Sequence, residues 1–277
     1  MPTQEITIAT VQMEPELGRM EENLVKMREF IDRVATEQPV DLIVFPELIT
    51  TGYELGPRFP HLAQRVPGAT VNLIAQRASE LGIHVAFGMA TKKEKVESVL
   101  YNTAIMVGPD GDVLHQHHKI HLRGEEQITF RPGYQIRECE TALGSDGLTV
   151  GMLVGWDLAF PETARSLVMR GAELVLVLAN WEEPHVDEWR VYLRARAYEN
   201  AVFVAAANRV GEEPSYTFFG QSAIVDPYGQ FYATVEEPTE GYAVATLDLN
   251  RMRQRRDETQ ILQCRQPQTY RDVTRKY

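Results

Sequence analysis

The sequence predicts an α/β fold, and three observations carry the prediction. Apolar, β-branched runs alternate with helical patterns along all 277 residues, without a linker, low-complexity tract or short repeat. The apolar runs are nearly continuous, which is typical of strands buried on both faces. A chain of this length can form one α/β domain with a large core. We therefore predict a single domain, residues 1–277, with roughly nine or more strands in more than one sheet.

Nine runs are the predicted strands: residues 6–13, 40–48, 84–90, 103–108, 148–155, 173–181, 202–209, 222–227 and 242–249. Apolar residues at helical spacing predict four helices between them: one that begins after Glu21, one that ends at Gly82, one from Pro161 to Arg170 and one from Asp187 to Asn200. Strands and helices in this alternation are typical of sheets covered by helices.

The polar segment HQHHKIHLRGEEQITFRPGYQ, residues 115–135, interrupts this pattern and predicts a functional loop. Its histidines are His115, His117, His118 and His121. Imidazole is the commonest metal ligand, but these residues lack the helical i, i+4 spacing of a zinc pair, and Lys119 among them disfavours a cation. We predict hydrogen-bonded or surface histidines, with no metal and no cofactor; a metal hydrolase is the distant alternative.

The charge balance argues against several partners and locations. The net charge of -11 disfavours nucleic acid, and the basic run RMRQRR (residues 251–256) predicts a solvated helix face or a subunit contact. No apolar run approaches the ~20 residues of a membrane span, and the N-terminus shows no signal-peptide pattern. Two cysteines, Cys139 and Cys264, are too few for a disulfide scaffold and predict free thiols. We therefore expect a cytoplasmic protein that binds neither nucleic acid nor membrane.

Three predicted strand ends carry candidates for chemistry: Glu47 in VFPEL, Lys119 in HHKIHL and Gly155 in LVGWD. Ligands of α/β proteins collect at the carboxyl ends of strands. The stretch GMLVGWDLAFPETAR has the pattern of a strand, a turn and a helix, an arrangement that often exposes a reactive side chain. Its tip, Gly155, has no side chain, and glycine also suits a tight turn on conformational grounds alone.

Six motifs, in this order, resemble those of the nitrilase superfamily of carbon-nitrogen hydrolases: VFPEL, YNTAIMVGPDG, HHKIHL, VGWDLAFPETAR, RARAYENAVFVAAANR and GQSAIVDPYG. The resemblance runs from about residue 5 to RQPQTY near the C-terminus, and the short chain is more similar to the amidase and carbamoylase branches. It implies a four-layer αββα sandwich with two related halves. It also implies a homodimer or higher homo-oligomer, with the C-terminal ~25 residues expected as an oligomer-contact tail.

The resemblance also assigns roles to individual residues. Glu47 matches the general base of a Glu-Lys-Cys mechanism, Lys119 its lysine, and Glu126 a second glutamate that positions substrate and water. The nucleophilic cysteine falls on Gly155, although the motif around it is retained: Trp156, Asp157, Phe160, Pro161, Glu162 and Arg165. The substrate-binding residues expected are Tyr53, Trp156, Asn180 and Trp181.

These roles imply hydrolysis of a small aliphatic amide to acid and ammonia, in a chain that lacks the nucleophile and so binds substrate without efficient turnover. Two origins of Gly155 remain open: an engineered inactive amidase, or a natural, catalytically silent protein that binds or regulates. An amidohydrolase of N-carbamoyl amines or amino acids is a further alternative. The acidic loop after Trp181, which includes Glu182 and Glu183, favours a cationic substrate.

Overall fold

The computed structural model describes residues 4–275, so residues 1–3 and 276–277 of the predicted domain lie outside the described part. The strands are β1 (Glu5–Gln12), β2 (Leu42–Val44), β3 (His84–Lys92), β4 (Leu100–Val107), β5 (Val113–His118), β6 (Glu138–Thr141), β7 (Leu148–Val154), β8 (Leu174–Ala179), β9 (Phe203–Asn208), β10 (Val210–Glu213), β11 (Tyr216–Phe219), β12 (Ala223–Val225), β13 (Phe231–Thr234) and β14 (Gly241–Asp248). The helices are α1 (Met20–Glu37), α2 (Phe59–Leu62), α3 (Ala69–Leu81), α4 (Glu126–Thr129), α5 (Pro161–Met169), α6 (Val186–Asn200) and α7 (Leu249–Thr259). Short 3-10 helices span Gly56–Arg58, Gly155–Ala159 and Pro267–Thr274.

Twelve strands form two six-stranded sheets, in the orders β14-β1-β2-β3-β4-β5 and β13-β12-β9-β8-β7-β6, and β10 pairs with β11 as a hairpin. Strands β1, β2 and β3 are parallel, as are β7, β8 and β9 in the second sheet. Helices join the strands of each parallel set, because a parallel connection needs a crossover. The two halves are therefore built on the same plan.

Three apolar clusters separate the four layers. Because side chains alternate along a strand, Ile6 and Ile8 of β1 lie in the cluster between the two sheets, whereas Ala9 and Val11 pack against α1 and α3. A third cluster joins the outer face of the second sheet to α5 and α6. The order of layers is thus helix, sheet, sheet, helix, which is the αββα sandwich that the resemblance implies.

All nine predicted strands and all four predicted helices are confirmed, with bounds that shift by a few residues. The prediction of a loop over residues 115–135 is wrong in two places, because this segment contains the end of strand β5 and the short helix α4. Strand β5 is the last strand of its sheet, so it carries polar side chains that an apolar-run criterion passes over. Strands β6, β10, β11 and β13 are short, and the apolar pattern of the sequence does not predict them either.

The basic run at residues 251–256 lies in α7, and part of it contacts the domain. Arg251 bonds to Asp226 at 2.9 Å and Arg256 to the carbonyl oxygen of Ala172 at 2.9 Å. The 3-10 helix that follows buries none of its residues, so that segment is exposed in a single chain. Among residues 4–275, no helix combines the length and apolar content that a bilayer-spanning helix needs.

Candidate active site

The carboxyl ends of parallel strands from both sheets meet at one place. Glu47 follows β2, Gly155 follows β7 and Asn180 follows β8. Oε2 of Glu47 accepts a hydrogen bond from the backbone N–H of Asn180 at 3.1 Å, which links the first sheet to the second. The strand ends that carry candidate residues in the sequence therefore lie together at one edge of the molecule.

The backbone at Glu47 lies directly against β3, and a glycine permits this approach. A Cβ on Gly88 would stand 2.6 Å from the Cα of Glu47. The N–H of Gly88 donates to the carbonyl of Pro46 at 3.1 Å, and the N–H of Ile49 donates to the carbonyl of Gly88 at 3.0 Å. A side chain at position 88 would displace the loop that carries Glu47.

Lys119 lies between two carboxylates in the interior. Its Nζ is 2.7 Å from Oε1 of Glu47 and 2.7 Å from Oε1 of Glu126, and the three side chains are nearly inaccessible to solvent. Nδ2 of Asn102, on β4, donates to the same two carboxylate oxygens at 2.6 Å and 3.1 Å. Every charge in this cluster has a partner, as buried charges require.

The charges of this cluster shift its titration. Burial raises the pKa of Glu47 to about 7, with the nearby Glu126 acting in the same direction and Lys119 opposing. Burial alone would lower the pKa of Lys119, but Glu126 and Glu47 outweigh it, and the net shift is upward. One ammonium shared by two carboxylates therefore stays charged, while Glu47 is protonated more readily than an exposed glutamate.

The backbone of Gly155 is oriented so that a Cβ atom at this position would point at this cluster. An ideal Cβ on Gly155 would stand 2.4 Å from Oε2 of Glu47 and 2.9 Å from Nζ of Lys119. The residue has φ +47°, a left-handed conformation that L-residues adopt only under strain. The sequence left open whether Gly155 serves the turn or faces a site, and both features are present: the turn favours glycine, and the Cβ position faces Glu47 and Lys119.

Asp157 fixes the turn after Gly155 to the segment that carries Lys119. Its Oδ1 accepts hydrogen bonds from the backbone N–H groups of Ile120 and His121, at 3.1 Å and 2.8 Å, and contacts Nδ1 of His121 at 2.9 Å. Oδ2 contacts Nε2 of His117 at 3.2 Å. Burial alone would raise the pKa of Asp157. These hydrogen bonds outweigh that effect and hold the pKa well below its usual range.

A cavity of about 110 Å³ opens over the cluster. The predicted site residues in its lining are Glu47, Tyr53, Lys119, Gly155, Trp156, Asn180 and Trp181. Glu126 does not line this cavity, and its carboxylate contacts the cavity-lining Lys119 instead. Both polar side-chain atoms of Asn180 are buried and, within the described part of the chain, without a hydrogen-bond partner. The side chain of Asn180 is therefore available to a ligand's polar group.

The structure adds residues that the sequence did not single out. Asn102 joins the carboxylates, and Arg123 and Tyr216 line the cavity, together with Glu182 of the acidic loop that the sequence had already indicated. A signal exists for Asn102, because a polar residue in the wholly buried strand β4 needs a partner. Arg123 lies in the segment predicted to be functional, whereas Tyr216 lies in a hairpin whose sequence carries no such signal.

Three of the four histidines of residues 115–121 make side-chain hydrogen-bond contacts, whereas Nε2 of His115 is buried without a partner in the described part of the chain. His117 and His121 contact Asp157, while His118 contacts Oγ1 of Thr103 at 2.9 Å and stacks on Tyr101. In the chain from residue 4 to residue 275, no group of three or more histidine, cysteine, aspartate or glutamate side chains is arranged to hold a metal ion.

Comparison with known proteins agrees with this geometry. The carbon-nitrogen hydrolase family profile matches residues 7–257. A probable nitrilase from Schizosaccharomyces pombe is 36% identical over 245 residues, covering 88% of this chain and 89% of the relative. The 2-oxoglutaramate amidase of Bacillus subtilis is 31% identical over 245 residues, covering 88% of this chain and 91% of the relative.

A solved structure is similar over nearly the whole chain. It is a mutant of the amidase from Nesterenkonia sp. AN1, showing covalent addition of the acetamide moiety of fluoroacetamide at the active site cysteine. It has 27% sequence identity and a TM-score of 0.84, and covers 98% of each chain. The matched fold, profile and relatives show that this chain belongs to the carbon-nitrogen hydrolase family of the nitrilase superfamily.

Proposed function

We propose that this chain binds small aliphatic amides in the cavity above Glu47 and Lys119, at an amidase site that lacks its nucleophile. The single observation that carries the proposal is the direction of Gly155, whose Cβ position faces both Glu47 and Lys119. Family membership supports amidase-type chemistry at this place. A cysteine at position 155 would bring its sulfur into contact with a base and a cation.

Each retained group has a role in amide hydrolysis. Glu47 would take the proton of a nucleophilic thiol and pass it to the departing ammonia, for which a pKa near 7 is suitable. The Lys119 ammonium and the backbone N–H of Trp156 would stabilise negative charge on the carbonyl oxygen. Glu126, which bonds to Lys119, would keep the ammonium in position.

Without a sulfur at position 155 no thioester can form. Deletion of a covalent nucleophile removes roughly 10⁶-fold in rate in well-studied hydrolases. Cys139 is no substitute, because it lies on β6, is buried, and burial raises the pKa of its thiol to about 11. We therefore expect binding of an amide with negligible turnover.

The shape of the cavity supports a small substrate. Its volume is about 110 Å³, and the aromatic side chains of Tyr53, Trp156 and Trp181 line it beside the unpaired amide of Asn180. Amidases among the matched proteins support an amide substrate, whereas the probable nitrilase among them keeps a nitrile as an alternative. An N-carbamoyl amine or amino acid, which also presents a terminal carboxamide, is the alternative substrate.

The retained cluster also bears on the origin of Gly155. A site that only binds has no chemical need for a base, a lysine and a second glutamate within hydrogen-bond reach, and all three are present. This supports an amidase whose nucleophile has been replaced. A naturally silent binding or regulatory protein is the alternative, and the codon for residue 155 in the source gene distinguishes the two.

Ammonia release tests the proposal. The chain, Gly155→Cys and Gly155→Ala are each mixed with acetamide and propionamide, and ammonia is measured together with the dissociation constants. We expect weak binding in all three and a gain of several orders of magnitude in turnover only in Gly155→Cys. Comparable turnover in the unmodified chain and Gly155→Cys would refute the missing-nucleophile part, and absence of binding in all three would refute the whole proposal.

We further propose that the chain forms a homodimer or higher oligomer and that its C-terminal ~25 residues contribute contacts. The wholly exposed 3-10 helix Pro267–Thr274 supports this, because it includes Tyr270 and Val273 in contact with solvent. Light scattering of the full chain and of a chain truncated after residue 260, which removes the last 17 residues and leaves α7 intact, tests the proposal. An unchanged oligomer after truncation would contradict the role of this segment.

A further inference from the structure

The outer end of the cavity carries one charge of each sign. Nη1 of Arg123 lies 3.2 Å from Oε1 of Glu182, and the two side chains are 42% and 18% exposed. At the inner end, the side chains of Lys119 and Glu47 are 4% and 1% exposed. All four residues line the same cavity, and their exposure places Arg123 and Glu182 nearer to solvent than Lys119 and Glu47.

Each of the two outer charges is held by its own part of the fold. The backbone N–H of Arg123 donates to Oε2 of Glu126 at 3.0 Å, and its guanidinium lies 5.7 Å from the ring centre of Trp156. Glu182 is held by an antiparallel bridge to Phe218 of β11. The pair can therefore open by side-chain rotation alone, and an exposed ion pair of this kind contributes little to stability.

This arrangement changes the expectation of a cationic substrate. Glu182 is paired with the guanidinium of Arg123, so a substrate with a single positive charge would be attracted by Glu182 but repelled by Arg123. A substrate with a single negative charge would be attracted by Arg123 and repelled by Glu182. A ligand that carries both charges at its far end would replace one ion pair by two, with the carboxylate on the planar donors of Arg123 and the ammonium on Glu182.

We propose that the substrate is the side-chain amide of an α-amino acid, recognised by Arg123 and Glu182 at the outer end while its carboxamide lies between Lys119 and Asn180. This inference rests on the proposed function and specifies its substrate class. Tyr53 and Tyr216 pack edge to face, with ring centres 5.4 Å apart, and line the cavity that the connecting methylene groups would cross.

Four amides with the same carbamoylpropyl skeleton test the inference. Glutamine carries both charges, glutaramic acid only the carboxylate, 4-aminobutanamide only the ammonium, and butanamide neither. Their dissociation constants for the unmodified chain are measured by calorimetry at low ionic strength, where charge recognition is least screened. We expect glutamine to bind at least about tenfold more tightly than butanamide, with the two singly charged amides between them or weaker.

Charge-neutral variants assign each contact. Arg123→Gln should remove the advantage that glutamine holds over 4-aminobutanamide, and Glu182→Gln the advantage that it holds over glutaramic acid. Both variants should weaken the binding of glutamine more than that of butanamide, because butanamide carries no charge. Arg131→Gln and Glu183→Gln are the matched controls, since both residues are exposed neighbours outside the cavity lining.

Two results separate this inference from the proposed function. Butanamide binding as tightly as glutamine, or equal effects of Arg123→Gln on all four amides, would overturn the substrate class while leaving an amide site in place. Absence of binding by all four amides, together with absence of acetamide binding, would overturn both.

Discussion

The carboxylate of Glu47 stands where the side chain of Gly155 would begin: a Cβ on Gly155 would lie 2.4 Å from Oε2. A side chain at position 155 therefore requires the carboxylate to move. It also requires an L-residue at φ +47°. We therefore expect any side chain introduced at position 155 to lower the stability of the fold, whatever it adds to the proposed activity.

Gly155→Ala should lower the free energy of unfolding by about 1–3 kcal/mol, because it adds a strained L-residue and displaces Glu47 without adding a nucleophile. The loss should appear in urea denaturation at pH 8 and as a fall in Tm of a few degrees. Gly171→Ala is a less suitable control because its φ is also positive, whereas Gly241→Ala is matched, since its nearest neighbour would lie 3.5 Å from the new Cβ. Equal stability of Gly155→Ala and the unmodified chain would contradict the strain.

Glu47 should make the stability depend on pH in a defined window. Its pKa is raised from 4.5 to about 7, so the folded chain binds this proton more tightly than the unfolded chain does. Its contribution is then fully present below pH 4.5 and is lost as the pH rises through about 7. Glu47→Gln cannot titrate, so its stability relative to the unmodified chain should increase by on the order of 3 kcal/mol across that window. A constant difference between the two chains from pH 4.5 to pH 8 would show that the pKa of Glu47 is unshifted.

Asp157→Asn should weaken both folding and ligand binding, although Asp157 does not line the cavity. Oδ1 of the carboxylate accepts from two backbone N–H groups of the segment after Lys119, while Oδ2 accepts from the N–H of Val154 and contacts Nε2 of His117. An amide has only one oxygen and cannot replace both acceptors. We expect a loss of about 2–4 kcal/mol in unfolding free energy and weaker amide binding. Asp146→Asn, an exposed aspartate, is the control in the same denaturation and calorimetry series. Unchanged amide binding by Asp157→Asn would mean that the turn does not position Lys119.

Arg209 and Glu213 form a buried ion pair whose two side chains are each 1% exposed. Glu213 also accepts the backbone N–H of Tyr53 at 2.9 Å, so the pair supports a wall of the cavity. Glu213→Gln should destabilise the chain by about 3–5 kcal/mol, because it leaves the Arg209 charge buried without a counter-charge.

Adding Arg209→Met to Glu213→Gln should recover part of that loss, because the double variant contains no unpaired charge while the new amide oxygen at position 213 can still accept the N–H of Tyr53. Denaturation of the two single variants and the double variant gives the coupling free energy. Strictly additive losses would show that the two charges do not interact.

The amino-acid sequence by itself determined the alternation of strands and helices, because the period of apolar residues is a local property of the chain. It also indicated which strand ends carry Glu47 and Gly155, since each follows its strand within a few residues. The polar strand β5 could not be predicted in this way, because its place at the edge of a sheet, and not its own composition, allows it to form.

Only the tertiary structure decided which side chains share the site. Lys119 and Glu47 are 72 residues apart in the sequence, yet their charged atoms are 2.7 Å apart. Asn102 joins the carboxylates, and Arg123 meets Glu182, through contacts between separate segments. No periodicity encodes such pairs, because hydrogen bonds and ion pairs depend on distances in space that the packing of the two sheets sets. The direction in which a side chain at position 155 would point also depends on the tertiary structure. The sequence motif locates the glycine, but only the packing of the two sheets places its Cβ position beside Glu47.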